Sequence, residues 1–126
     1  MQEGNQFDRE SSCFCIAELC TKVHSPALAS QLPFLMRALL SCCAADVWTV
    51  RDAACVAIGN VVAASPEHFR FQMSEIFIKL LQHLSEPIWS LRENSAIALG
   101  QVSHRHFVMM LLDWSCMSQV ACLKFR

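Results

Sequence analysis

Three segments of this chain repeat one another: RESSCFCIAEL from Arg9, RDAACVAIGNV from Arg51 and RENSAIALGQV from Arg92. The offsets are 42 and 41 residues. A fixed period of this size marks stacked structural units, none of which can bury its apolar face alone. The chain is thereby confined to a repeat array, in which each unit packs only on its neighbours.

The columns have a physical reading. Arg9, Arg51 and Arg92 are each followed by an acid: Glu10, Asp52 and Glu93. Three columns are small: Ser12, Ala54, Ser95; Cys13, Cys55, Ala96; and Cys15, Ala57, Ala98. Three are apolar: Phe14, Val56, Ile97; Ile16, Ile58, Leu99; and Leu19, Val61, Val102. The ninth column holds Ala17, Gly59 and Gly100. Apolar and small residues at spacings of three and four predict a helix buried over most of its surface. The small columns let a neighbouring helix come close.

Upstream, WTVR from Trp48 aligns with WSLR from Trp89, and Leu39-Leu40 with Leu80-Leu81. Each full unit is therefore a helix pair, predicted over 26–44 and 47–64 and then over 66–84 and 88–103. Ser25-Pro26 and Ser65-Pro66 stand at the joints, where proline suits the first helical turn. Ser65 is the expected cap, with Glu67 adding acid to the first turn.

At these residues the chain resembles the HEAT repeat family, with armadillo repeats next. EPIWSLRENSAIALG, from Glu86, is similar to the family's acid-Pro-x-Trp-x-Val-Arg-x-x-Ala pattern. DVWTVRDAACVAIG, from Asp46, is similar but one residue shorter between acid and arginine. Arg9 matches the arginine column, although Phe7-Asp8 lacks the tryptophan pattern. The resemblance implies an all-α, right-handed solenoid of about two full helix pairs plus flanking helices. It also implies an inter-repeat ladder at Arg51, Arg92, Asp46 and Glu86. The second helices would line a concave face that binds protein partners through Asp52, Asn60, Glu93, Asn94 and Gln101. The expected function is a protein–protein interaction scaffold or adaptor. The alternative is a structural fragment or isoform of a longer solenoid that docks on other repeats.

The division along the chain is 1–8 as a polar N-terminal segment, 9–103 as the repeat array and 104–126 as a divergent tail. Two readings of the tail stay open. The chain is a slice of a longer array, or the tail is a cap helix that packs Phe107, Val108, Leu111 and Leu112 on the stack. Hydrophobic residues make up 54% of the chain and mean hydropathy is +0.33. That is high for a small independent unit, so self-association is expected. The longest apolar run, Phe107 to Leu112, is too short for a membrane span. The polar start MQEGNQFDRESS is not a signal peptide. Cytoplasmic or nuclear residence is the expectation, with reduced cysteines.

Eight cysteines and five histidines invite a search for chemistry. Cys13, Cys15, Cys20 and His24 read C-x-C-x4-C-x3-H, a set of ligand types that zinc accepts. Cys13 and Cys15 sit in columns filled elsewhere by Cys55 and alanines, so the expectation is small core residues rather than a metal site. Cys42-Cys43, at a helix end, and Cys116 and Cys122 are expected to be exposed and oxidation-prone. His24, His68 and His83 have no acid or cysteine at ligand or triad spacing. No P-loop, nucleophile elbow or H-E-x-x-H motif is present, so neither an enzyme nor a cofactor or small-molecule substrate is expected. Ten Lys+Arg against eleven Asp+Glu give a net charge of −1. Binding to phosphates or an anionic membrane needs a basic face, which argues against both.

Overall fold

The structure, a computed structural model, describes residues 5–124, with side chains described through Ser115. Six α-helices and one 3-10 segment account for most of it, and no strand occurs among the described residues. The chain is all-helical.

Helix α1 spans Gln6–Lys22. The Asn5 side chain caps it by accepting from the Asp8 N–H at 3.0 Å. The helix thus takes in residues 6–8, which the sequence pattern assigns to the polar N-terminal segment. Ser25 caps α2, Pro26–Ala29, by accepting from the Leu28 N–H at 3.2 Å. The single helix expected over 26–44 is broken here, and α3 restarts at Leu32–Cys42. Pro33 is the cause. It has no N–H to donate back to Ala29, and its ring would crowd that carbonyl, so it is tolerated only in a first turn. Helix α4, Trp48–Ala64, falls where the periodicity places it. Ser65 is not the expected cap, for its side chain accepts no capping bond. The segment after it, Pro66–Gln72, is 3-10 rather than α and leads into α5, Met73–His83.

Helix α6 runs unbroken from Trp89 to Lys124. The stop expected after Ser103 does not occur. Residues 103–124 contain neither glycine nor proline, so no local signal ends the helix.

Helix α4 lies between α1 and α6 and packs on both; α3 packs on α4, and α5 on α6. The three second helices form a row, with the first helices against it. The 3-10 segment meets α3, α4, α5 and α6. There it buries Phe69 completely, while Gln72 donates to the Pro33 carbonyl at 3.2 Å. The core holds Met36, Leu39, Ile58, Ile76, Leu80 and Leu91.

Position in the row decides burial. Helix α4 has a neighbour on each side and buries Val50, Ala53, Ala54, Cys55, Ala57, Ile58, Gly59, Val61 and Val62. Helix α1 has one such neighbour and buries only Cys13, Ala17 and Cys20. The expectation that each repeated helix is buried on most of its surface therefore holds for α4 and fails for α1 and α6. Cys15 is exposed, although Ala57 and Ala98 in the same column are buried. Phe14 and Ile97 are likewise exposed.

The extension of α6 touches the body along a narrow line. His106 meets Phe77 edge-on at 6.0 Å, Met109 is buried, and Asp113 pairs with Arg70 at 2.9 Å. The cap stripe expected from the sequence is rotated away from this line. Phe107, Leu111 and Leu112 are exposed, and only Val108 is partly buried.

The ninth column tests the row directly. A Cβ on Gly59 would run into Gln101 Oε1 and lie 3.0 Å from Ala98 Cα. Space for that atom exists only if the Gln101 side chain swings aside and the Ala98 backbone yields by a few tenths of an ångström. A Cβ on Gly100 meets nothing within 4 Å. Gly59→Ala is therefore expected to destabilise the fold by about 1–3 kcal/mol, as overpacking does. Gly100→Ala, in an open helix interior, is expected to stabilise by about 0.5–1 kcal/mol. Urea midpoints of the two variants check this, and shifts of the same sign would overturn the packing order.

Candidate functional site

The arginine column has a role within each unit. Arg51 Nη1 donates to the carbonyls of Ala45 and Asp46 at 2.8 and 3.0 Å. Arg92 Nη1 donates to those of Glu86 and Pro87 at 2.7 and 2.9 Å. Each guanidinium thus ties the turn after a first helix to the start of the second, satisfying carbonyls that the helix end leaves open. The ladder between units is narrower than the family resemblance implies. Arg51 Nη2 donates to Glu86 Oε2 at 3.3 Å, and Arg51 Nε lies 3.2 Å from Glu86 Oε1. The second contact is electrostatic, since Nε is not aligned as a hydrogen-bond donor. Asp46 contributes its carbonyl and not its carboxylate. Arg92 has no carboxylate partner among the described residues. Arg9 makes no ion pair there either, and its Nε is buried without a partner.

A second set of polar rungs joins the row. Thr49 donates to Glu10 across α1 and α4. Ser90 and Asn94 donate to the two Asp52 oxygens at 3.2 and 2.8 Å across α4 and α6. Gln101 donates to Asn60 Oδ1 at 3.1 Å. Thr49 and Ser90 occupy one column, two residues before the arginine. Glu10 and Asp52 occupy another, one residue after it. The same rung therefore recurs at both junctions. Asp52, Asn60, Asn94 and Gln101, expected to meet partners, instead hold α4 to α6. Of the five expected contact residues only Glu93 is exposed.

The cysteines are placed otherwise than the sequence suggests. Cys42 and Cys43 are buried, not exposed. Cys42 lies beside Cys13, and interaction with that thiol and with the neighbouring Arg9 holds the Cys42 pKa down to about 7. The same pairing and burial push Cys13 up. Cys43 is paired instead with Cys55, and their interaction raises Cys43 and lowers Cys55. Ser95 Oγ approaches Cys55 Sγ at 3.5 Å as a further donor. Side chains of Cys116 and Cys122 lie outside the described residues.

His83, unremarkable in the sequence, stands beside these thiols. Its ligand atom and those of Cys43 and Cys55 all lie within 4.8 Å of one another. No such grouping among the described residues contains Cys13, Cys15, Cys20 or His24. Sequence spacing does not reveal the trio, because its members come from the ends of α3 and α5 and the middle of α4. A separate open groove of about 260 Å³ lies between the α1–α2 connection and Ser65–His68, with His24 and His68 on its walls.

Comparison with family models, with curated proteins and with solved structures finds no match for this chain. Among the described residues, no helix is long and apolar enough to cross a membrane.

The two arginines differ in what they leave behind. Removing Arg51 strands two carbonyls and a carboxylate that is itself four-fifths buried. Removing Arg92 strands carbonyls alone. Arg51→Ala is expected to cost about 3–5 kcal/mol and Arg92→Ala about 1.5–3 kcal/mol. Denaturant midpoints rank them, and equal losses would mean that the ion pair adds nothing to stability.

Proposed function

We propose that the chain is a non-catalytic, HEAT-like protein-interaction module. Its docking surface is the open side of α6, and its occupant is another helix pair of the same kind. The observation that carries this reading is the recurrence of one rung at two junctions, with the third left open. Arg51, which meets Glu86, and Asp52, Cys55 and Gly59, which meet α6, map at the 41-residue offset onto Arg92, Glu93, Ala96 and Gly100. Glu93, Ala96, Ile97 and Gly100 are exposed, and Gly100 is the unfilled counterpart of the notch that Ala98 and Gln101 fill at Gly59. An occupant in register presents a carboxylate to Arg92, a hydroxyl or amide to Glu93 and a small residue to Gly100.

A second copy of the chain has much of this chemistry on its own open edge. Ser90, Asn94 and Ala98, which meet α4, have Phe7, Ser11 and Cys15 as their counterparts on α1, all exposed. Ser11 stands where Asn94 donates to an acid, and Cys15 where Ala98 fills a notch. Head-to-tail stacking of α6 on α1 gives the small residue at Cys15 a neighbour. It also covers Phe7, Leu19 and Ile97, side chains of the sort that mark interaction sites. The solenoid and its right-handed course belong to this reading.

Sedimentation of the full chain over a concentration series tests it. The wild type is expected to associate in a concentration-dependent way. Gly100→Leu fills the open notch, where a Cβ meets nothing of the monomer, and should weaken association by at least about tenfold, equivalent to 1.4 kcal/mol. A chain that stays monomeric throughout, or associates equally well with Gly100→Leu, rules the docking face out.

A further inference from the structure

We propose that Cys43, Cys55 and His83 form a binding site for a thiophilic divalent metal ion, with zinc the natural occupant. The first indication is an unanswered polar atom. His83 is 6% exposed, and its Nε2 is buried with no hydrogen-bond partner among the described residues. Burying such an orphan is costly unless something meets it. Its other nitrogen, Nδ1, lies 3.4 Å from Glu86 Oε1. A carboxylate on one imidazole nitrogen and a free second nitrogen is how metal-binding histidines are oriented. Arg51 in turn fixes Glu86, so the carboxylate beside the imidazole is itself held in place.

The partners suit a soft ion. Cys43 and Cys55 are both buried, and the three candidate ligand atoms already lie within 4.8 Å of one another. Small inward shifts bring them to zinc's ligand distances, about 2.3 Å to sulfur and 2.0–2.1 Å to nitrogen. Charge favours a divalent ion. Two thiolates and a neutral imidazole around Zn²⁺ sum to zero, whereas a monovalent ion leaves a buried net charge. Binding breaks the two S–H bonds, forms two Zn–S bonds and one Zn–N bond, and releases both protons to solvent. Hard cations are excluded, because the trio offers no oxygen.

The first junction provides an internal contrast. At the repeat offset, Cys13 corresponds to Cys55 and Cys42 to His83. There two thiols face each other with no imidazole. Only at the second junction does an adjacent residue, Cys43, turn in to supply a third ligand. The two sites therefore differ in chemistry despite sharing a place in the repeat.

Cobalt(II) titration of the reduced full chain, followed by displacement with zinc, tests the assignment. Expected are one equivalent of cobalt with a thiolate charge-transfer band, and a higher melting temperature with zinc. Cys55→Ala should abolish both effects and still fold, since Ala96 occupies that column in the next unit. Cys43→Ala provides the same test should Cys55→Ala lose its helical circular dichroism. Glu86→Gln should weaken binding by about 10–100-fold, as loss of an orienting partner does. Cys15→Ala should leave binding unchanged. The proposal is overturned if the reduced, folded chain shows no band. It is also overturned if a band persists unchanged in a folded Cys55→Ala or Cys43→Ala variant, which places the metal on other thiols.

Discussion

Everything in this fold depends on α4 having neighbours on both sides. A helix in that position can present large side chains to neither flank without forcing the row apart, because interiors pack at crystal-like density. Hence Ala53, Ala54, Cys55, Ala57 and Gly59 run along it, and all five are buried. Gly59 marks the limit, since one more carbon would displace the Gln101 side chain and press on the Ala98 backbone. The larger apolar volume is displaced to the first helices and the 3-10 segment, where Met36, Leu39, Phe69, Ile76 and Leu80 fill the core.

That constraint explains which parts of the fold are legible in the sequence. The columns place α1, α4 and the start of α6 correctly, because helical period and small-residue spacing are local properties. Burial is not local. Cys15 and Ala57 share a column, yet one is exposed and the other buried, because α1 lacks the second neighbour that α4 has. The break before α3 is present in the sequence as Pro33, inside a run whose apolar pattern reads as continuous helix. The uninterrupted α6 reflects an absence of glycine and proline after Gly100, which outweighs the change in repeat pattern at Ser103.

The site is less legible than the fold. Arg51 and Arg92 stand out by period, but their main partners are carbonyls in the preceding turn, and a carbonyl leaves no mark on a sequence. Polar residues on a buried-looking helix suggest a free binding face. Asp52, Asn60, Asn94 and Gln101 are instead matched to one another across 42 and 41 residues. Cys43, Cys55 and His83 are further still from recognition by motif, since no single element carries two of them.

These polar pairs solve a problem that the small residues create. An interface of alanine, glycine and cysteine is nearly smooth, so α6 could slide along α4 by one turn at little loss of apolar contact. A slip of one turn is about 5.4 Å, enough to break Ser90 and Asn94 from Asp52, and Gln101 from Asn60, all at once. Part-buried donors and acceptors then lose their partners together, and each orphan costs more than its bond contributed. Register is thus specified by groups whose net contribution to stability is modest, as polar networks in other cores specify a unique arrangement. The ion pair of Arg51 with Glu86 adds a fourth point on the same line and couples it to His83. A rung that fixes register between two helices of one chain is equally able to fix the register of a helix arriving from another, so the docking proposed for the open edge of α6 is specified by polar spacing as well as by apolar area.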